Sequence, residues 1–173
     1  MVPALTVGPL HAFRHWYLRW QEGQAVLCSV YYPTPWPPDM PLRASCEQTP
    51  RTLASRVRQL CTRGTTRHAA PAVDCWCGIY ALKELEGVEQ WELLPPASQP
   101  DPDRGVHVMG VVLLWGRVIQ HEHGYRAEYA RPLQLLTVPA GWRDRAIDSL
   151  LTATARRYAI PLVTQVDGLQ CRA

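Results

Sequence analysis

Two kinds of metal-seeking side chain, thiol and imidazole, gather in the middle of this chain. Cys46 stands alone, His68 follows, and then comes Cys75-Trp76-Cys77-Gly78. Soft thiolates with an imidazole suit a tetrahedral Zn²⁺ ion. The prolines and glycines around them supply the sharp turns that let distant ligands converge. The spacing is unusual, because a zinc knuckle has two or more residues between its cysteines. In C-x-C, alternation along an extended chain sends Cys75 and Cys77 the same way, which still permits chelation. The expectation is a structural zinc on Cys46, His68, Cys75 and Cys77, with Cys61 as a spare ligand. Three other readings stay open. Cys46 and Cys61 can be small core hydrophobes with His68 in a loop. Cys75 or Cys77 can be a thiol activated by His68. The cysteines can also pair as disulfides, which are rare in a reducing cytosol but occur in thermophiles.

A second constellation lies around Glu122-His123-Gly124. Arg117, His121, Arg126 and Glu128 flank this expected turn. Arg126 and Glu128 are two apart on a strand, so they share a face. On a cleft floor, Arg126 could bind an anion that Glu128 orients. Glu128 with His121 or His123 could instead move protons. The plain alternative is a cross-strand Arg–Glu pair worth about 0.2–1 kcal/mol, with solvated histidines at a hairpin tip. Arg51, Arg56, Arg58, Arg63 and Arg67 occur without an acid between them. They could track phosphates, and Trp16, Tyr17, Trp20, Tyr31 and Tyr32 could stack bases. Their plain alternatives are a solvated helix face and core packing.

These residues need a scaffold. The chain has 173 residues, the length of one domain. Hydrophobic residues make 47% and charged residues 19%, which excludes a disordered tail protein. There is no run of about 18 apolar residues to span a membrane, and the first ten residues lack a signal-peptide pattern. A cytoplasmic protein is expected. Arg supplies all but one of the basic residues, and Asn is absent. Such skew fits a GC-rich genome, and the missing Asn fits a thermophile. Net charge is only +3, too small to argue for nucleic acid by itself. It is uneven: 1–69 hold eight Arg against three acids, and 70–103 hold Lys83 against seven.

Residues 13–20 (FRHWYLRW) and 25–32 (AVLCSVYY) flank Glu22-Gly23 and predict a β-hairpin. Five prolines in 33–41 predict an extended loop, with Trp36 folded back onto the body. Residues 42–46 predict a short strand, 51–62 an amphipathic helix, and 95–105 a Pro-rich surface loop. The composition of 79–85 leans helical. A buried strand with bulges or close approaches at Gly110 and Gly116 is expected over 108–121. The return strand over 125–130 follows a three-residue turn, with His121 opposite Tyr125, Ile119 opposite Ala127 and Arg117 opposite Tyr129. A separate strand at 133–138 and an amphipathic helix at 143–158 complete the chain. The sum is a single α+β domain over 1–173, a curled or partly barrel-like antiparallel sheet carrying two or three helices.

Two stretches, 68–81 (HAAPAVDCWCGIYA) and 110–131 (GVVLLWGRVIQHEHGYRAEYAR), resemble an uncharacterised family of small bacterial proteins from GC-rich genomes. The shared pattern takes in Trp36-Pro37-Pro38, Cys46, His68, Cys75, Cys77, Gly78, Trp115, Gly116, Arg117, His121, Gly124, Arg126 and Glu128. The resemblance implies membership and brings no activity with it. The residues themselves favour a non-enzymatic binding or adaptor module braced by zinc, its ligand or protein partner meeting Trp36, Arg117, His121, Arg126 and Glu128. No phosphate loop and no nucleophile–base–orienter set is visible. A nucleic-acid-binding protein and a small hydrolase or transferase using His121, Arg126 and Glu128 are the alternatives.

Overall fold

The computed structural model describes residues 5–30, 34–46, 68–84, 106–137 and 145–163, with side chains from Gly8 onward. The expected helix at 51–62, the 95–105 loop, Cys61 and the Arg51 to Arg67 segment lie outside the described residues. Strand β1 (Leu5–Gln21) turns through Glu22-Gly23 into β2 (Gln24–Ser29). Gln21 pairs with Gln24, and both turn residues have positive φ, 53° and 75°. A two-residue turn of that kind matches the right-handed twist of the strands it joins. Alternation then sends Ala12, Trp16 and Leu18 into the main core and Tyr17 into a smaller cluster with Val26 and Cys28.

The main hairpin is β5 (Val106–Gln120) and β6 (Gly124–Leu136). Its register differs from the expected one by a residue near the turn, where Gln120 faces Tyr125 and Ile119 faces Arg126, and by two residues farther along, where Trp115 faces Tyr129. The connection is shorter than expected, because the His121 amide donates to the Gly124 carbonyl at 2.8 Å. Further along, Gly116 and Arg117 together oppose Glu128. Gly116 takes φ 77° there, and a Cβ on it would lie 2.8 Å from the Tyr129 ring. This is the bulge anticipated at Gly116, while Gly110 allows close approach of the Gln134 carbonyl and Trp16. The separate strand expected at 133–138 is the end of β6 instead. Pro132 is tolerated inside it because the register shifts beside it, between Val111 and Val112.

Two short strands join this frame. β3 (Leu42–Arg43) pairs with Ala130 and Tyr129 of β6, as the expected strand near 42–46. β4 (Ile79–Leu82) corrects the helical leaning of 79–85. Ile79 and Ala81 are buried while Tyr80 faces out, and β4 pairs with β6 and, through Leu82, with Phe13 of β1. Two flanking strands outweigh weak helix propensity. The path β1–β5–β6–β4–β1 makes the sheet partly ring-like without closing a barrel. Among the described residues one helix is present, where two or three were expected: α1 (Arg145–Arg157). Its buried face is Ile147, Leu151, Thr154 and Ala155, and Tyr158 follows. The Tyr158 hydroxyl donates to the Trp36 carbonyl at 2.7 Å and accepts from the Leu27 amide at 3.0 Å. The helix thereby holds both the first hairpin and the Pro-rich loop. Trp36 is 1% exposed, edge-on to Trp16, with its indole N–H on Ser29 Oγ at 3.0 Å.

Helix α1 ends with Ile160 N–H on the Ala155 carbonyl and Ala159 N–H on the Arg156 carbonyl. That is a Schellman closure with a non-glycine residue, Ala159, at φ 50°. The chain then adds β7 (Leu162–Val163), parallel to β6. The left-handed conformation costs alanine about 1 kcal/mol. Ala159→Gly is therefore expected to raise unfolding stability by about 0.5–1 kcal/mol, read as a higher urea midpoint at unchanged slope.

The second face of the sheet carries a pair of imidazoles. His15 on β1 and His107 on β5 meet Nε2 to Nδ1 at 2.8 Å, beside Tyr17 and Arg14. Burial, then His107, then Arg14 pull the His15 pKa down to about 4. Between its ordinary value near 6.5 and that value, the unfolded chain takes up a proton that the folded chain refuses. Stability is thus full above about pH 6.5 and falls as pH drops toward 4, by about 3 kcal/mol from this group. Urea titrations across that window should show the slope in the native protein and a shallower one in His15→Gln.

Candidate metal centre

Cys46 lies just past β3, and His68, Cys75 and Cys77 lie on the irregular run that leads into β4. β3 is held by its two pairs with β6 and by the Ala44 amide on the Glu128 carbonyl at 2.7 Å. The 68–78 run folds on itself through the Cys75 amide and the Ala72 carbonyl at 3.2 Å. The sheet thus gathers two segments that are distant in sequence at one edge. The ligand atoms of Cys46, His68, Cys75 and Cys77 all lie within 4.8 Å of one another. Cys46 Sγ and Cys75 Sγ are 3.6 Å apart, and His68 Nε2 is 3.2 Å from Cys77 Sγ. Tetrahedral zinc with standard bond lengths demands sulfur–sulfur distances of about 3.8 Å and sulfur–nitrogen distances of about 3.6 Å. The donor set and its spacing fit such an ion. Cys28, Cys46, Cys75 and Cys77 are all free thiols, so none of the described cysteines forms a disulfide.

The thiols alone make poor neighbours. Burial first, and then Cys75 and Cys77, push the Cys46 thiol up to about 12. Burial and Cys75 likewise raise Cys77. Each thiolate makes the next harder to form, and a bound cation reverses that balance. Cys28, by contrast, is 2% exposed in an apolar cluster and behaves as a small hydrophobe.

Arg126 lies directly behind this loop. It is 4% exposed, and its Nη1 reaches the carbonyl oxygens of Cys75, of Cys77 at 3.2 Å and of Ala72 at 3.4 Å. Its Nε–H donates to His121 Nε2 at 2.9 Å. Burial, then Arg126 and Lys83, lower the His121 pKa, which suits a neutral acceptor ring. Arg117 donates from Nη1 to the Ala69 carbonyl at 3.1 Å. Arg117 and Arg126 therefore hold the backbone of the 68–78 segment, and His121 accepts from Arg126 beside them. Glu128 lies directly opposite the bulge, paired with Arg43 at 3.4 Å and accepting from the Arg117 amide at 3.4 Å. It borders a cleft of about 380 Å³ with Arg43, Ser45, Cys46 and His68. Trp36 is in the core, apart from these groups.

Sequence reading missed Arg43 and the loop-holding role of Arg126. Arg43 lies over the Tyr129 ring at 5.5 Å, and Tyr129 stacks on Trp115. Its place on the short strand that leads to Cys46 was the available signal. The base-stacking reading of the first hairpin is corrected in part: Trp16 and Tyr17 are interior, while Trp20 is 67% exposed. Tyr31 and Tyr32 lie outside the described residues. Trp76, between two candidate ligands, is 87% exposed. Among the described residues no helix is long and apolar enough to cross a membrane. In comparisons with protein-family models, with curated proteins and with solved structures, nothing matches this chain.

Proposed function

We propose that the protein is a zinc-stabilised binding or adaptor module. Cys46, His68, Cys75 and Cys77 would hold one structural Zn²⁺, and the ion would lock the 68–78 segment against the sheet. The observation that carries this reading is the convergence of all four ligand atoms within 4.8 Å from two separate stretches of chain. Three thiolates and an imidazole fill a tetrahedral shell, the pattern of structural sites, whereas catalytic zinc keeps a position open. The recognition surface is the rigid loop itself, with Trp76 at its tip and Tyr80 donating from its hydroxyl to the Trp76 carbonyl at 2.7 Å. A bulky ring held in solvent on a fixed backbone is the form of a contact residue. Membership of the small bacterial family resembled in sequence belongs with this proposal, because the His…Cys-x-Cys-Gly spacing would then be a ligand spacing. Elemental analysis of protein purified without added metal tests it. Close to one zinc per chain is expected; a metal-free, fully folded protein would refute it.

A further inference from the structure

We infer that Cys46 is a modification site for hydroperoxides, the reaction joining it to Cys75 and releasing the metal. This inference rests on the metal reading above and adds a reactivity to it. Of the three candidate sulfur ligands, Cys46 alone borders the 380 Å³ cleft, and Cys75 and Cys77 do not. The cleft gives a small electrophile a route to the Cys46 sulfur. The second thiol is in place, because Cys75 Sγ is 3.6 Å from Cys46 Sγ and a disulfide needs about 2.05 Å. Among the described residues, Cys46 also has the lighter tether. It follows a strand of two residues, whereas Cys75 and Cys77 are on the loop that Arg126 holds through three carbonyls.

The chemistry balances with a hydroperoxide as oxidant. The Cys46 thiolate attacks the peroxide, a sulfur–oxygen bond forms, the oxygen–oxygen bond breaks, and one water leaves after protonation. The Cys75 thiolate then attacks that sulfur, the sulfur–sulfur bond forms, and the second oxygen leaves as water. Two thiolates, one hydrogen peroxide and two protons become one disulfide and two waters. Two electrons pass from sulfur to oxygen. The ion keeps one thiolate and one imidazole, too few to retain it.

The test uses the full-length protein as purified, with its zinc content measured first. Hydrogen peroxide is added, released zinc is read with a chromogenic chelator, and the cysteines are mapped by mass spectrometry. The expected result is one zinc released for each Cys46–Cys75 disulfide, reversed by dithiothreitol and fresh zinc. Zinc that stays bound under peroxide, or leaves while Cys46 remains a thiol, overturns the inference and leaves the metal centre standing. Protein that carries no zinc before peroxide overturns the metal centre, and this inference with it.

Discussion

Cys75→Ser is expected to abolish stoichiometric zinc and to lower the melting temperature by roughly 10 °C. The serine hydroxyl does not ionise near neutral pH, so the site loses a thiolate and keeps a neutral oxygen that binds zinc weakly. Zinc on a structural site contributes directly to folding free energy. A loss of about 3 kcal/mol converts, for a chain of this length, to a shift of that order. Chelation of the native protein should produce a similar fall, and the two changes should not add, because both remove the same brace. Cys28→Ser is the internal control. Its thiol packs with Tyr17 and Val26, away from the cluster, so zinc content should stay unchanged. Equal zinc in Cys75→Ser and native protein would contradict the assignment.

The second large effect is expected at Arg126. A centre of three thiolates, a neutral imidazole and Zn²⁺ carries a net charge of minus one. The Arg126 guanidinium is packed behind the loop that carries Cys75 and Cys77, and it reaches the backbone carbonyls of Ala72, Cys75 and Cys77. Arg126→Leu takes the guanidinium donor from those carbonyls and removes a positive charge from behind the loop. Zinc affinity, measured by competition with a chelator, should fall about 10- to 100-fold. Unfolding stability should fall by about 3 kcal/mol even with zinc in excess. Arg126→Lys keeps the charge but not the planar fork of donors, so its zinc affinity should lie between the two. A leucine variant with lower stability and native zinc affinity would reduce Arg126 to a packing role.

Local signals in the chain reached part of this structure. Glu22-Gly23 between two alternating runs reads as a hairpin because the turn chemistry is local. The 145–157 helix reads from its period, and the Cys/His set from its donor types, although C-x-C gave less support than a standard knuckle. Other features depend on contacts that sequence position does not display. Ile79 to Leu82 has helix-forming composition, and only its placement between β1 and β6 makes it a strand. The hairpin register depends on one short turn and one bulge at Gly116-Arg117, and an error of one residue moves every side chain to the other face. Arg126 and Glu128 do share a strand, yet the segment that folds over Arg126 lies some fifty residues upstream. Nothing near Arg126 in sequence announces those carbonyls. β7 is too short to show any period, and its pairing follows from the Schellman closure at Ala159.

The most direct measurement is zinc K-edge X-ray absorption on protein purified without added metal. The predicted first shell is three sulfurs at about 2.3 Å and one nitrogen at about 2.0–2.1 Å. A zinc shell of oxygen and nitrogen alone, or a folded protein with no zinc edge, would contradict the account.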